Sequence, residues 1–221
     1  MIDNRNEIRA VIFDLDGVIV STDECHYQGW KQLADEEGID FNREINERLR
    51  GVSRMESLEI VLERAQKQYL EDQKMEMATR KNEYYKGLIQ KLTPKDILPG
   101  VPEFLAGLKG RGIKIAIGSS SKNSPLILER IGLDKTFDAT ADGNDISRSK
   151  PDPEVFLVAA MRVGIPPENC LVVEDAEAGI EAALAAGMQV LGVGFASKSE
   201  RATYRAADLA AVRVGDILNA R

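Results

Sequence analysis

The chain has 221 residues, 43% of them hydrophobic and 29% charged, with a formal net charge of -7. This is an ordinary globular composition, and the negative balance argues against nucleic acid or an anionic membrane as a partner. No stretch reaches the roughly 18 consecutive apolar residues of a membrane span, and Met1-Ile2-Asp3-Asn4-Arg5-Asn6-Glu7 is too polar for a secretory signal, so a cytoplasmic protein is expected.

The first element is an apolar run, Ile8, Val11, Ile12 and Phe13, of the β-branched kind that suits a strand covered on both faces. It ends in Asp14-Leu15-Asp16-Gly17, where Gly17 lets the backbone turn sharply. Side chains two residues apart in a strand share a face, so these two carboxylates would repel each other unless a hard cation such as Mg²⁺ sat between them. A carboxylate relieved in that way can attack an electrophile. The alternative is a solvated acidic turn.

Residues 20–93 change character. Trp30, Leu33 and Ala34 make a helical stripe, as do Leu58, Val61, Leu62 and Ala65, and the segment from Asp72 to Leu92 is similar. Trp30 is expected in the core of this insert, which Thr93-Pro94 and Pro99-Gly100 close. A helix from Val101 to Gly110 and a strand Ile113–Ile117 follow, leading into Gly118-Ser119-Ser120-Ser121-Lys122-Asn123. Those hydroxyls read either as a helix N-cap or as a phosphate cradle. Next come a helix from Pro125 to Ile131, a short strand Phe137–Ala141, and the proline-flanked Ser149-Lys150-Pro151. Leu171-Val172-Val173 is a buried strand ending in Glu174 and Asp175, then a helix from Gly179 to Ala186 and a strand Val190–Val193. A weak strand near Asp208 to Val214 completes the sheet. Cys25 and Cys170 match no metal or redox spacing and read as packing residues.

The β-α alternation predicts a doubly wound, right-handed parallel α/β sheet, residues 1–19 and 94–221, carrying a small all-helical cap domain at 20–93. In a parallel sheet all strand C-termini lie on one edge, so Asp14/Asp16, the serine cluster, Lys150 and Glu174/Asp175 can converge. Carboxylates from two strands suit Mg²⁺, and Lys150 with Ser119 could neutralise a phosphoryl group.

Phe13-Asp14-Leu15-Asp16-Gly17, Ser119, Lys150-Pro151 and Glu174-Asp175 together resemble the four ordered motifs of the haloacid dehalogenase superfamily, whose core is Rossmann-like. The resemblance implies Asp14 as nucleophile, Asp16 as general acid/base, and Ser119 and Lys150 holding the transferring phosphate. It implies a Mg²⁺ site of Asp14, Glu174, Asp175 and the backbone carbonyl of Asp16. Within the insert, Asp23-Glu24-Cys25-His26-Tyr27-Gln28-Gly29-Trp30, Leu49-Arg50-Gly51-Val52-Ser53-Arg54-Met55-Glu56-Ser57 and Arg80-Lys81-Asn82 are similar to the β-phosphoglucomutase branch. So are Ser121-Lys122-Asn123 and Ser149-Lys150-Pro151.

That likeness implies an enzyme interconverting β-glucose 1-phosphate and glucose 6-phosphate, with a sugar phosphatase as the alternative; a monomer acting on a small sugar phosphate is expected. It implies substrate binding by His26, Gly51, Val52, Ser53, Arg54, Lys81, Ser121, Lys122 and Asn123. A mutase needs a second phosphate site, and Arg54 can grip a phosphate bidentately. Other readings stay open for two of these: His26 as a surface or capping residue, and Arg80 with Lys81 as a solvated face. Ala176 departs from the pattern, where the family often has a serine.

Overall fold

The computed structural model describes residues 7–49 and 52–218. In chain order the elements are β1 (Ala10–Phe13), α1 (Asp23–Glu37), α2 (Arg43–Glu47), α3 (Arg54–Leu62) and α4 (Glu71–Ile89), then α5 (Val101–Lys109), β2 (Lys114–Gly118) and α6 (Ser124–Arg130). They continue with β3 (Ala139–Ala141), α7 (Glu154–Val163), β4 (Cys170–Glu174), α8 (Glu177–Ala185), β5 (Gln189–Gly192), β6 (Tyr204–Arg205) and α9 (Val214–Leu218). The chain divides into two compact units, Met1–Ser21 with Thr93–Arg221, and Thr22–Leu92.

The first unit is a sheet of order β3-β2-β1-β4-β5-β6 with every neighbouring pair parallel, the order of a doubly wound α/β fold. All four residues of β1 are fully buried, as a strand covered on both faces requires. Its side chains alternate between two cores. Ala10 and Ile12 pack with Phe156 and Ala159 of α7 and Ile180 of α8. Phe13 faces the other way, meeting Phe104 of α5 edge-on with ring centroids 6.1 Å apart. The register aligns Phe13 with Ile117 of β2 and with Val173 of β4, so Asp14, Gly118 and Glu174 emerge level with one another.

Residues 208–214, expected as the last strand, do not form one. The edge strand is Tyr204–Arg205 on β5. The Asp208 side chain accepts the Ala211 N–H and starts a 3₁₀ turn over Leu209–Ala211, which removes those amides from any ladder. Phe137 also falls outside β3 and packs its ring 6.2 Å from that of Phe13.

The elements described in the second unit are all helices, α1 to α4. Trp30, Leu33 and Ala34 of α1, Leu58 and Val61 of α3, and Met77 and Ala78 of α4 share its core with Ile39, Phe41 and Ile45. α1 ends at Gly38, whose φ of 68° is the left-handed conformation that glycine adopts without strain. No helix among the described residues is long and apolar enough to cross a membrane.

Candidate active site

Strand geometry ends at Phe13, and the acids beyond it do not form a simple pair. Asp14 is 8% exposed and tied into the sheet, its N–H donating to the Val173 carbonyl at 2.9 Å. The chain then turns through Gly17 at φ 78°, so the carboxylates that come together are Asp14, Glu174 and Asp175, with oxygens within 4.8 Å of one another. The charge of Asp16 reaches this group and raises the pKa of both Asp14 and Asp175.

Lys150 is the counter-ion. Its Nζ lies 2.5 Å from Asp14 Oδ1 and 2.6 Å from Glu174 Oε1, and sits 4.6 Å from the centre of the Phe156 ring. Read alone, Lys150 could be a solvated loop charge, but here its side chain is 9% exposed. The other Glu174 oxygen accepts the backbone N–H groups of Asp175 at 2.7 Å and Ala176 at 2.9 Å, the two residues just ahead of α8, where Ala176 offers no capping side chain. Burial, with repulsion from Glu174 and Asp16 and against the pull of Lys150, pushes Asp14 up to about 7. Burial and the charges of Glu174, Asp14 and Asp16 push Asp175 up to about 8. Burial alone would lower the Lys150 ammonium, but Asp14 and Glu174 outweigh it and raise its pKa.

Three carboxylates in this space fit a hard divalent cation. The backbone is carved to hold them. A Cβ on Gly17 would come 2.1 Å from Asp175 Oδ2, and one on Gly179 would come 1.9 Å from Glu174 Oε1.

The loop after β2 lies on the same sheet edge. Ser119 is buried and its Oγ accepts the Ser121 N–H at 3.2 Å, while Ser121 Oγ accepts the Asn123 N–H at 3.2 Å. The hydroxyls therefore shape the loop and do not cap α6, whose N-cap is Asn123. Ser120 Oγ accepts the Lys150 N–H at 3.4 Å, which joins this loop to the lysine. Asn123 is buried and Lys122 is exposed.

In the helical unit, Lys81 is not on a solvated face. It is 3% exposed, its Nζ is 2.9 Å from His26 Nδ1, and it stands 4.7 Å from the Trp30 ring centre and 4.9 Å from that of Tyr85. Arg80, the other half of that pattern, faces outward in ion pairs with Glu36, Glu37 and Glu76. Burial and the charges of Lys81 and Arg54 hold His26 well below the usual imidazole range, so its ring is neutral at pH 7. Arg54 Nη2 donates to Asn82 Oδ1 at 2.8 Å. Ser53 is the N-cap of α3, with Oγ accepting from Glu56 N and its own N–H donating to Glu56 Oε2. Val52 precedes it, half-buried, and Gly51 lies outside the described residues.

Sequence reasoning missed several partners here. Tyr85, whose hydroxyl donates to Thr22 Oγ1 at 3.0 Å and whose ring centre is 4.2 Å from that of His26, lies four residues after Lys81, one helical turn away, and that spacing could have found it. Phe156 and Gly179 carry no such local signal.

The pattern of the haloacid dehalogenase-like hydrolase family matches residues 8–187. A β-phosphoglucomutase of Bacillus subtilis is 48% identical over 189 residues, 85% of this chain and 84% of that protein. A phosphorylated carbohydrates phosphatase of Thermotoga maritima is 32% identical over 216 residues, 96% of this chain and 97% of that one. The crystal structure of a β-phosphoglucomutase from Clostridium difficile superposes with a TM-score of 0.88 at 40% identity, covering 96% of this chain and 97% of that one.

Proposed function

The chain belongs to the haloacid dehalogenase-like hydrolases, and from that membership we propose that it is a phosphomutase interconverting β-D-glucose 1-phosphate and glucose 6-phosphate by way of β-glucose 1,6-bisphosphate. The observation that carries the choice of activity is the 48% identity to the Bacillus subtilis β-phosphoglucomutase over 85% of the chain.

On this reading residues 1–19 and 94–221 are the catalytic core and residues 20–93 the cap. An Asp14 carboxylate oxygen bonds to phosphorus as the bond from phosphorus to the sugar oxygen breaks, leaving an aspartyl-phosphate. Asp16 protonates the departing sugar oxygen, and then accepts the proton of the hydroxyl that takes the phosphoryl group back. Lys150 and Ser119 hold the transferring phosphoryl oxygens, and the low exposure of the lysine favours that role because its charge is little screened. Mg²⁺ bound by Asp14, Glu174, Asp175 and the Asp16 carbonyl would neutralise charge on the phosphoryl group. His26, Val52, Ser53, Arg54 and Lys81, with Gly51, bind sugar and phosphate, and Ser121, Lys122 and Asn123 serve the phosphate that is not transferred. With Nδ1 facing an ammonium, neutral His26 carries its proton on Nε2, the tautomer that donates to a sugar oxygen.

The partner is a small sugar phosphate, with neither nucleic acid nor membrane. The enzyme is read as a cytoplasmic monomer, in keeping with a net charge of -7, which favours a chain that stays in solution and unassociated. A sugar-phosphate phosphatase is the second reading, favoured by the 32% identity to the Thermotoga maritima protein over 96% of the chain. One assay separates them: β-glucose 1-phosphate with Mg²⁺ and a trace of bisphosphate should yield glucose 6-phosphate. Inorganic phosphate as the sole product would decide for hydrolysis.

A further inference from the structure

Behind the loop that carries Ser119 to Asn123 stands a second loop, between β3 and α7, built to hold it. Gly143 presses against it so closely that a Cβ there would lie 2.3 Å from the Ser120 carbonyl oxygen and 2.8 Å from the Lys122 nitrogen. The Gly143 N–H donates to the Ser121 carbonyl at 3.3 Å, and Asn144 Nδ2 donates to the Lys122 carbonyl at 3.1 Å.

Asn144 is itself fixed from behind. Its backbone N–H and its Nδ2 both donate to Asp142 Oδ1, at 2.7 and 2.9 Å, and Asp142 is 7% exposed. The Asp142 N–H donates in turn to Asp145 Oδ2 at 2.9 Å. Arg162 of α7 grips Asp145 with both terminal nitrogens, at 2.8 and 2.7 Å, and donates to the Thr140 carbonyl. A paired fork of this kind fixes direction as well as distance. The chain of contacts thus runs from a core helix to the carbonyl of Lys122. Nothing in the reaction uses Asn144 directly, yet its amide is held in one orientation and spent on that carbonyl.

We infer that Asn144 is a positioning residue for phosphate recognition: braced by Asp142, Asp145 and Arg162, it holds the Ser121-Lys122-Asn123 segment in the shape that receives the phosphate not being transferred. The inference rests on the phosphomutase reading above. A loop released at Lys122 samples other shapes, and the bound state must then reorder it, which weakens binding more than it slows the transfer at Asp14.

The test is steady-state mutase kinetics on four variants. Asn144→Ala should raise the KM for the phosphosugar about tenfold, the equivalent of roughly 1.4 kcal/mol, with kcat within about twofold. Gly143→Ala keeps the amide but drives the two loops apart, and should shift KM in the same direction. In a Lys122→Ala background, which keeps the carbonyl that Asn144 holds, the Asn144→Ala change should still raise KM through Ser121 and Asn123, but by less than in the wild type, because the Lys122 ammonium no longer has a position to lose. Asn144→Ser, which restores a short donor, should recover part of the lost affinity. Full additivity of Asn144→Ala with Lys122→Ala, a fall in kcat with KM unchanged, or no effect would each overturn the inference. Absence of mutase turnover in the wild type would count against the proposed function instead, so the two failures are distinguishable.

Discussion

Gly179→Ala is the smallest change that should damage the acidic centre. Gly179 is the third residue of α8 and has ordinary helical φ, so a methyl group there brings no backbone strain, and propensity alone would favour alanine by up to ~1 kcal/mol. The space is the difficulty. The new Cβ would stand 1.9 Å from Glu174 Oε1, 2.0 Å from its Cδ and 2.5 Å from its Cγ, so the carboxylate has to leave its place. In leaving, it loses the Lys150 ammonium at 2.6 Å and the amides of Asp175 and Ala176. Hydrogen bonds to a charged group contribute about 1.5–3 kcal/mol each. Losing even two of them outweighs the gain in propensity and leaves a deficit of about 2–5 kcal/mol. For a chain of this size that corresponds to a melting temperature lower by roughly 4–20 °C. Divalent-cation affinity should fall about 10- to 100-fold, as when a group that orients a metal site is lost. Thermal melts and calorimetric titration with Mg²⁺ measure the two effects separately. A variant that melts with the wild type and binds Mg²⁺ within about twofold of it would refute the reasoning, because Glu174 would then have no fixed place to lose.

The remaining predictions concern charge and phosphate. Asp14→Asn should abolish turnover while leaving the circular dichroism spectrum unchanged, since it removes the proposed nucleophile and keeps the shape; wild-type turnover by this variant would exclude Asp14 from the chemistry. Asp14 and Asp175, raised to about 7 and 8, bind more protons folded than unfolded, so in chelator the protein should lose stability as pH rises from about 6.5 to about 8. His26, held neutral in the folded state but free to protonate below its ordinary value of about 6.5 when unfolded, adds stability as pH rises through that value and so opposes the trend at the low end of the window. A melting temperature that climbs across the window would contradict the assignment. The same protons compete with a cation, so Mg²⁺ affinity should increase over that range, which titrations at matched ionic strength would detect. Arg54→Ala should reduce mutase turnover far more than hydrolysis of a small phosphate ester, and an equal loss in both assays would remove Arg54 from phosphate reorientation.

Much of this was legible in the sequence because the central strands announce themselves. β1 and β4 are short runs of buried apolar residues, and each stops at an acid. The hidden part depends on partners far along the chain. Lys150 and Asp14 are 136 residues apart, and no local pattern says that one ammonium bridges Asp14 and Glu174. Lys81 misleads in another way, since two adjacent basic residues suggest a wet helix face. Its burial depends on Trp30 and Tyr85, whose rings stand close to the ammonium, and on His26 accepting a hydrogen bond from it. The edge of the sheet was misread because β6 has only two residues, too few to show a period, whereas the apolar stretch after Asp208 looked more like a strand.

The shared register of β1, β2 and β4 bears on how such a protein can change over time. A single residue gained or lost inside one of these strands would reverse its inward and outward faces and move Asp14, Gly118 or Glu174 off the common level. Length variation is therefore confined to connections, and the longest of these, Thr22–Leu92, enters and leaves the chain between β1 and β2 without interrupting either. That stretch can be rewritten while Asp14, Gly118 and Glu174 stay in step.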